Sequence, residues 1–408
     1  MNSLLGWFSI ITIGMLWFFL LFKYRDNKCI SILLVSSVIY YESFTLVNVD
    51  LFIKLLFLLS TIFLLLIKGI KKGPFLVVTL FCIVQYGIGQ IAPTNYNDYG
   101  FSDGVTSFLS ILTGFWFMCI NWNRDEVISI VKVISYLASI SIFFGGILGV
   151  IGLVDFFGRH GISVAGASLS TNLSFFGTIG IMAATLAEYF TVNENAHKYR
   201  LLKYINLIIV CSTLTRGGIL SAVIVFIPEF FLFIKLIIRK PIYILWGSSA
   251  LLVLYKPIKI FISLLSQRMY TASGEINTSG RSIAWNYILS LNQQKYTGSG
   301  LGSLKTFTSD PKLAAFTAAH NEYVRALFET GIFGLALLIL LFAYILYKML
   351  VHKNTYIKMI CSLIFVSFLL YSYTDNTMVN FRYWLPFCIL LGTMLESNVF
   401  KIKLLKSK

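Results

Sequence analysis

His320 is the residue of this chain whose type and setting best suit proton transfer. It is the single histidine in the long polar stretch between Ser263 and Glu329. A neutral imidazole takes a proton from a hydroxyl near pH 7, which Lys and Arg do only after strong perturbation of their pKa. Arginines accompany it. Arg281 precedes the segment SIAWNYILSLN, Arg216 lies in STLTRGGIL before Gly217 and Gly218, Arg159 stands beside His160 in FGRHGIS, and Arg325 follows His320. Planar guanidinium forks match the oxygens of a phosphate or diphosphate. The polar stretch holds no Asp-x-Asp pair and no clustered carboxylates, so the pattern predicts no metal and no cofactor. The chemistry these residue types suit is the handling of an anionic, phosphate-bearing, lipid-linked substrate with a histidine base. Each has a plainer alternative: Arg216 as an arginine snorkelling to the interface, Arg159 and His160 as a solvated loop.

Other features weigh less. Gly298, Gly300 and Gly302 in TGSGLGS suggest a phosphate loop, but no strand precedes them and no Lys-Ser/Thr follows, so a flexible turn returning the chain to the membrane is the better reading. Glu42 and Glu229 fall in apolar blocks, where pairing with another polar group for packing is expected. His197 and His352 fall in basic loops and are read as solvated. All six cysteines sit in or beside apolar blocks, which gives neither a disulfide framework nor a zinc spacing.

The elements that must position these residues are membrane helices. The chain is 57% hydrophobic, only 12% charged, and has a mean hydropathy of +0.81. Soluble domains keep about a quarter of their residues charged. Apolar blocks such as Leu4 to Phe22, Leu51 to Ile67, Pro74 to Ile91 and Gly331 to Tyr347 are long enough to cross about 30 Å of hydrocarbon. The first lacks the flanks of a cleaved signal and is expected to be retained. Thirteen blocks can be drawn, among them 29–47, 127–153, 217–236 and 241–262, which predicts an all-α polytopic membrane protein of about 12–13 transmembrane helices. The net charge of +16 is mostly a topology signal, because 21 of the 33 basic residues fall on one side, which is cytoplasmic by the positive-inside rule. No basic face interleaved with aromatics suggests nucleic acid. The opposite, periplasmic side receives 92–104, 154–169, 263–329 and 375–381. The organisation is thus 1–262 as N-terminal transmembrane helices, 263–329 as a large periplasmic loop, and 330–408 as C-terminal helices with a basic tail. Within the loop, Ile283, Tyr287, Ile288 and Leu291 at helical spacing predict a short amphipathic helix.

The stretch GRSIAWNYILSLNQQKYTGSGLGSLKTF, followed by AAHNEYVRALFETGIFGLALL, resembles the signature of the bacterial O-antigen polymerase and O-antigen ligase superfamily. Its pattern of Arg and Trp, a Gly-x-Gly turn, His-Asn-x-Tyr and Gly-x-x-Gly is met by Arg281, Trp285, Gly298, Gly300, Gly302, His320, Asn321, Tyr323, Gly331 and Gly334. A Thr-Arg-Gly turn between two spans is met by Thr215, Arg216 and Gly217. The likeness covers most of residues 165–350; the first 150 residues match only as hydrophobic spans. It implies a GT-C-like glycosyltransferase of the bacterial inner membrane whose donor is an undecaprenyl-diphosphate-linked glycan, and it allows a chain-length regulator protein as partner. Carried over, Arg216 and Arg281 would bind the diphosphate in place of a metal and His320 would act as general base. Arg159, His160, Asn321, Tyr323 and Arg325 are the candidate substrate contacts. The family commonly has an even number of spans with both ends inside, where the count of thirteen puts the N-terminus outside.

Within this resemblance the polymerase reading, joining lipid-linked repeat units into O-antigen or a related surface polysaccharide, is preferred to a ligase handing finished polymer to lipid A-core. A transporter of lipid-linked sugars is the alternative from another class. It would need no base and would favour inverted repeats, which the sequence does not display.

Overall fold

The computed structural model describes residues 2–24, 28, 30–35, 38, 50–91, 101–152, 156, 170–190, 196–269, 280–304, 319–351 and 355–395. Among them fifteen α-helices carry the fold. They are α1 (Asn2–Lys23), α2 (Asp50–Lys68), α3 (Lys72–Ile91), α4 (Phe101–Met118), α5 (Arg124–Ile134), α6 (Leu137–Val150), α7 (Ser170–Phe190), α8 (Ala196–Ser212), α9 (Arg216–Val225), α10 (Ile227–Arg239), α11 (Ile242–Met269), α12 (Arg281–Leu291), α13 (Glu322–Leu350), α14 (Thr355–Thr374) and α15 (Phe381–Met394). The chain is an all-α polytopic membrane protein. By length and composition four described helical stretches can cross a membrane, or six when each bent pair counts as one span.

A helix that is apolar all round belongs in the middle of a bundle. Two have this character. α15 is buried on every face from Tyr383 to Met394, and α7 from Leu173 to Ala187. α4, α5 and α7 pack on α15, while α9 packs on α14, α7 and α8. Trp384 locks α15 to α4 by donating from Nε1 to the Ile111 carbonyl at 3.0 Å, over Gly114, where any side chain would overlap the indole. Stacked Phe368 and Phe387, with centroids 4.2 Å apart, join α14 to α15.

Several expected spans are subdivided. The block 127–153 divides at Ser135 and Tyr136 into α5 and α6. The block 217–236 is bent by 53° at Phe226, where Pro228 lacks the amide that would continue the helix, giving α9 and α10. α9, at 10 residues, spans about 15 Å and cannot cross a bilayer alone. The start of α10 is tied by the expected pairing of Glu229. Lys203, 1% exposed, bonds Glu229 and also Glu188 at 3.0 Å, which Arg200 meets at 2.9 Å. α10 and α11 carry outward apolar side chains such as Phe230, Phe231, Leu252 and Val253, as a lipid-facing surface does. The expected span 29–47 and Glu42 lie largely outside the described residues.

The polar stretch is shorter than the sequence suggests, because α11 continues to Met269 and α13 begins at Glu322. α12 forms where the apolar spacing predicted it. Its buried side is Ala284 and Ile288, which join Leu304, Ala319 and Phe328 in a small core of their own, while Ile283 is 76% exposed.

Candidate functional site

Arg216 is placed by a reversal of the chain after α8. Leu214 takes a left-handed backbone (φ 50°) and Thr215 an extended one, so α9 begins at Arg216. Hydroxyls fix the turn from below: Thr215 Oγ1 lies 2.7 Å from Thr213 Oγ1 and bonds Ser174 Oγ at 2.5 Å, and Tyr371 donates to the same Ser174 oxygen at 2.9 Å. Gly217 then passes so close to Thr374, at the end of α14, that a Cβ there would overlap Thr374 Oγ1. The Arg-Gly pair is therefore a packing requirement as well as a charge.

Arg281 arrives at the same threonine from the other side. Gly280, with φ 73°, turns the chain into α12, and Arg281 is that helix's first residue. Its Nη1 donates to the Thr374 carbonyl at 2.6 Å. Both arginines are half-buried.

His320 completes the group. Its Nδ1 lies 3.1 Å from Asp375 Oδ1, with 27% and 14% of the two side chains exposed. Its backbone is left-handed (φ 48°), a conformation that costs an L-residue about 1–2 kcal/mol and needs support from its neighbours. On one side Trp285 of α12 donates from Nε1 to the Ala319 carbonyl at 2.7 Å while its ring packs on Tyr373. On the other, the Asn321 amide donates to Asn376 Oδ1 at 3.1 Å, and the Asn321 side chain caps α13 by accepting from the Tyr323 and Val324 amides at 2.9 and 3.1 Å.

Three helix N-termini, those of α9, α12 and α13, thus meet around the turn Thr374–Asn376. Aligned peptide dipoles at such ends favour an anion; α9 and α12 start with arginine, while the first amides of α13 are taken by Asn321. The pairing with a carboxylate assigns His320 the tautomer with the proton on Nδ1. That leaves Nε2 as the acceptor. Two arginines beside an oriented base can bind a phosphate-bearing group and take a proton from a hydroxyl nearby.

Of the other sequence candidates, Arg325 is turned inward. It is 4% exposed, bonds Glu322 through Nε at 2.9 Å and through Nη2, and bonds Glu329 through Nη1. Burial of a guanidinium demands such partners, so here its role is to hold α13 together. Tyr323 lends its hydroxyl to the Leu369 carbonyl at 3.0 Å, and Asn321 is a helix cap. Arg159 and His160 lie outside the described residues. Asp375 is what the sequence reading missed. The signal was available: it is the acid in the loop 375–381, which the charge pattern places on the same side as His320.

The glycines of TGSGLGS do not form the flexible turn expected of them. α13 is broken at Gly331 (φ 64°, ψ −168°), which strips four backbone groups of their helical partners. The turn supplies replacements. Ser299 and Gly300 amides donate to the Phe328 and Glu329 carbonyls, both at 2.9 Å, and the Ile332 and Phe333 amides donate to the Lys295 and Tyr296 carbonyls at 2.9 and 3.2 Å. Side chains at Gly298 or Gly331 would overlap the facing backbone. The segment is spliced by backbone hydrogen bonds onto the break in α13.

No curated protein matches the chain. The family model described as O-antigen ligase matches residues 201–339, the stretch that supplies Arg216, Arg281 and His320, and this match supports the O-antigen ligase and polymerase superfamily.

Proposed function

We propose that this protein is a metal-independent glycosyltransferase that joins undecaprenyl-diphosphate-linked oligosaccharide repeat units into O-antigen or a related surface polysaccharide at the periplasmic face of the inner membrane. Its superfamily acts by glycosyl transfer on lipid-linked glycans, and its apolar helices make it a membrane protein. The observation that carries the reading is the meeting of Arg216, Arg281 and the His320–Asp375 pair at one turn. In the step we derive, an acceptor sugar hydroxyl attacks the anomeric carbon of the donor. The new C–O bond forms as the bond to the diphosphate oxygen breaks. The hydroxyl proton passes to His320 Nε2, and Asp375 holds the ring and offsets the imidazolium charge. Negative charge gathering on the departing undecaprenyl diphosphate is met by Arg216, Arg281 and the helix N-termini, in the place where other transferases set a metal.

The description of the matching family favours a second reading, in which the protein is a ligase that hands finished polymer to lipid A-core. The two separate in a deletion strain whose surface glycans are resolved on a gel. A core bearing one repeat unit with the ladder lost supports the polymerase; polymer held on undecaprenyl diphosphate with a bare core supports the ligase. In the same strain Arg216→Ala and Arg281→Ala, inserted at wild-type level, should fail to restore the ladder. Normal ladders from either would remove the diphosphate role.

A further inference from the structure

We infer that Asn376 is the positioning residue of the site, fixing both the backbone and the carboxylate partner of His320. This rests on the reading of His320 as the base. Asn376 lies beyond residues 201–339, so the family match does not include it. It is 7% exposed, at the mouth of the turn between α14 and α15. Its side-chain oxygen accepts the Asn321 amide at 3.1 Å, the peptide that immediately follows His320. Its own amide donates to Asp375 Oδ1 at 2.9 Å, the same oxygen that His320 Nδ1 approaches at 3.1 Å. One residue thereby holds the carboxylate that orients the imidazole and the peptide that sets the imidazole's direction.

The need for such a clamp follows from the backbone. His320 sits at φ 48°, and an L-residue relaxes out of that region unless its flanking peptides are fixed. The preceding peptide is fixed by Trp285 Nε1 on the Ala319 carbonyl; the following one is fixed by Asn376. Relaxation of φ would swing Nε2 away from the acceptor hydroxyl, and a displacement of about 1 Å costs on the order of 100-fold in rate. The Asn376 backbone amide survives any substitution except proline, so side-chain variants isolate the clamp on residue 321. Around this turn the segment is otherwise anchored, since Thr377 Oγ1 lies 2.6 Å from Ser372 Oγ and the Met378 amide points to Glu322 at 3.4 Å.

The test uses full-length protein in lipid nanodiscs, with the lipid-linked repeat unit extracted from the deletion strain as substrate. Asn376→Leu keeps the volume and removes the acceptor; Asn376→Asp keeps an acceptor oxygen. The expected result is a kcat lowered about 10-fold or more in Asn376→Leu with KM little changed, and substantial recovery in Asn376→Asp. In an His320→Ala background, Asn376→Leu should add nothing to the residual rate, because the residue acts through His320. Wild-type kcat in Asn376→Leu, or an equal loss with and without His320, overturns the inference. A wild-type rate in His320→Ala alone would instead overturn the base reading on which it rests.

Discussion

At the scale of single residues, the site depends on Asp375 giving His320 a direction. A histidine alone can rotate and exchange tautomers; bonded through Nδ1 to a carboxylate it presents Nε2. Asp375→Asn keeps the shape but can donate to Nδ1, which favours the wrong tautomer. It should lower kcat by about 10²-fold or more, with protein level and substrate binding retained; a loss under about threefold in single-turnover rates would deny the pair its role. The three principal residues of the proposed site, Arg216, Arg281 and His320, were picked out in the sequence by residue type and by the motif resemblance: the single histidine and an arginine of the polar stretch, and an arginine in the turn between two apolar blocks. Asp375 and Asn376 were not, since a short loop with one acid and one amide looks ordinary until α14 and α15 bring it beneath His320. Arg325 shows the opposite case. Its charge suggested a ligand, yet Glu322 and Glu329, three residues before and four after it, already stood at helical spacing to neutralise it.

At the scale of elements, the break in α13 governs how His320 and Arg281 reach one turn. The upper part of α13 carries the His320 loop, and the segment linking α12 to that helix is spliced by its backbone onto Gly331. Gly331→Ala combines a left-handed φ with overlap against the Tyr296 backbone. The strained φ alone costs about 1–3 kcal/mol, and the overlap adds to it. The variant should show a lower melting temperature in detergent and a lower level in membranes than wild type, whereas an unchanged melting temperature would show that the splice is dispensable. α12 could be read from its apolar spacing, because periodicity is local. The glycine turn could not, because its meaning lies in hydrogen bonds to carbonyls some thirty residues away. The same holds for α9: hydropathy alone gives one span across 217–236, and only Pro228 hints at the bend.

At the scale of the molecule, composition announced a polytopic helical membrane protein, and the structure agrees. The sequence could not say which blocks were central. α7 and α15 are buried on every face of their central stretches; α7 also contributes Glu188, which pairs with Lys203 and Arg200, and Ser174, which bonds the turn before Arg216. The residues of the proposed site come instead from helix ends and loops gathered around one turn of this scaffold, as is usual where a rigid core positions reactive groups. In the proposed function this gathering performs glycosyl transfer with a histidine base and arginines in place of a metal. The most direct measurement is the single-turnover rate of purified wild-type and His320→Ala protein in nanodiscs, on extracted lipid-linked repeat units, with a chelator present. Wild-type protein should turn over in chelator, and His320→Ala should be slower by about 10²-fold or more. Equal rates for the two proteins, or a wild-type rate that is abolished by chelator and restored by magnesium, would contradict the proposed function.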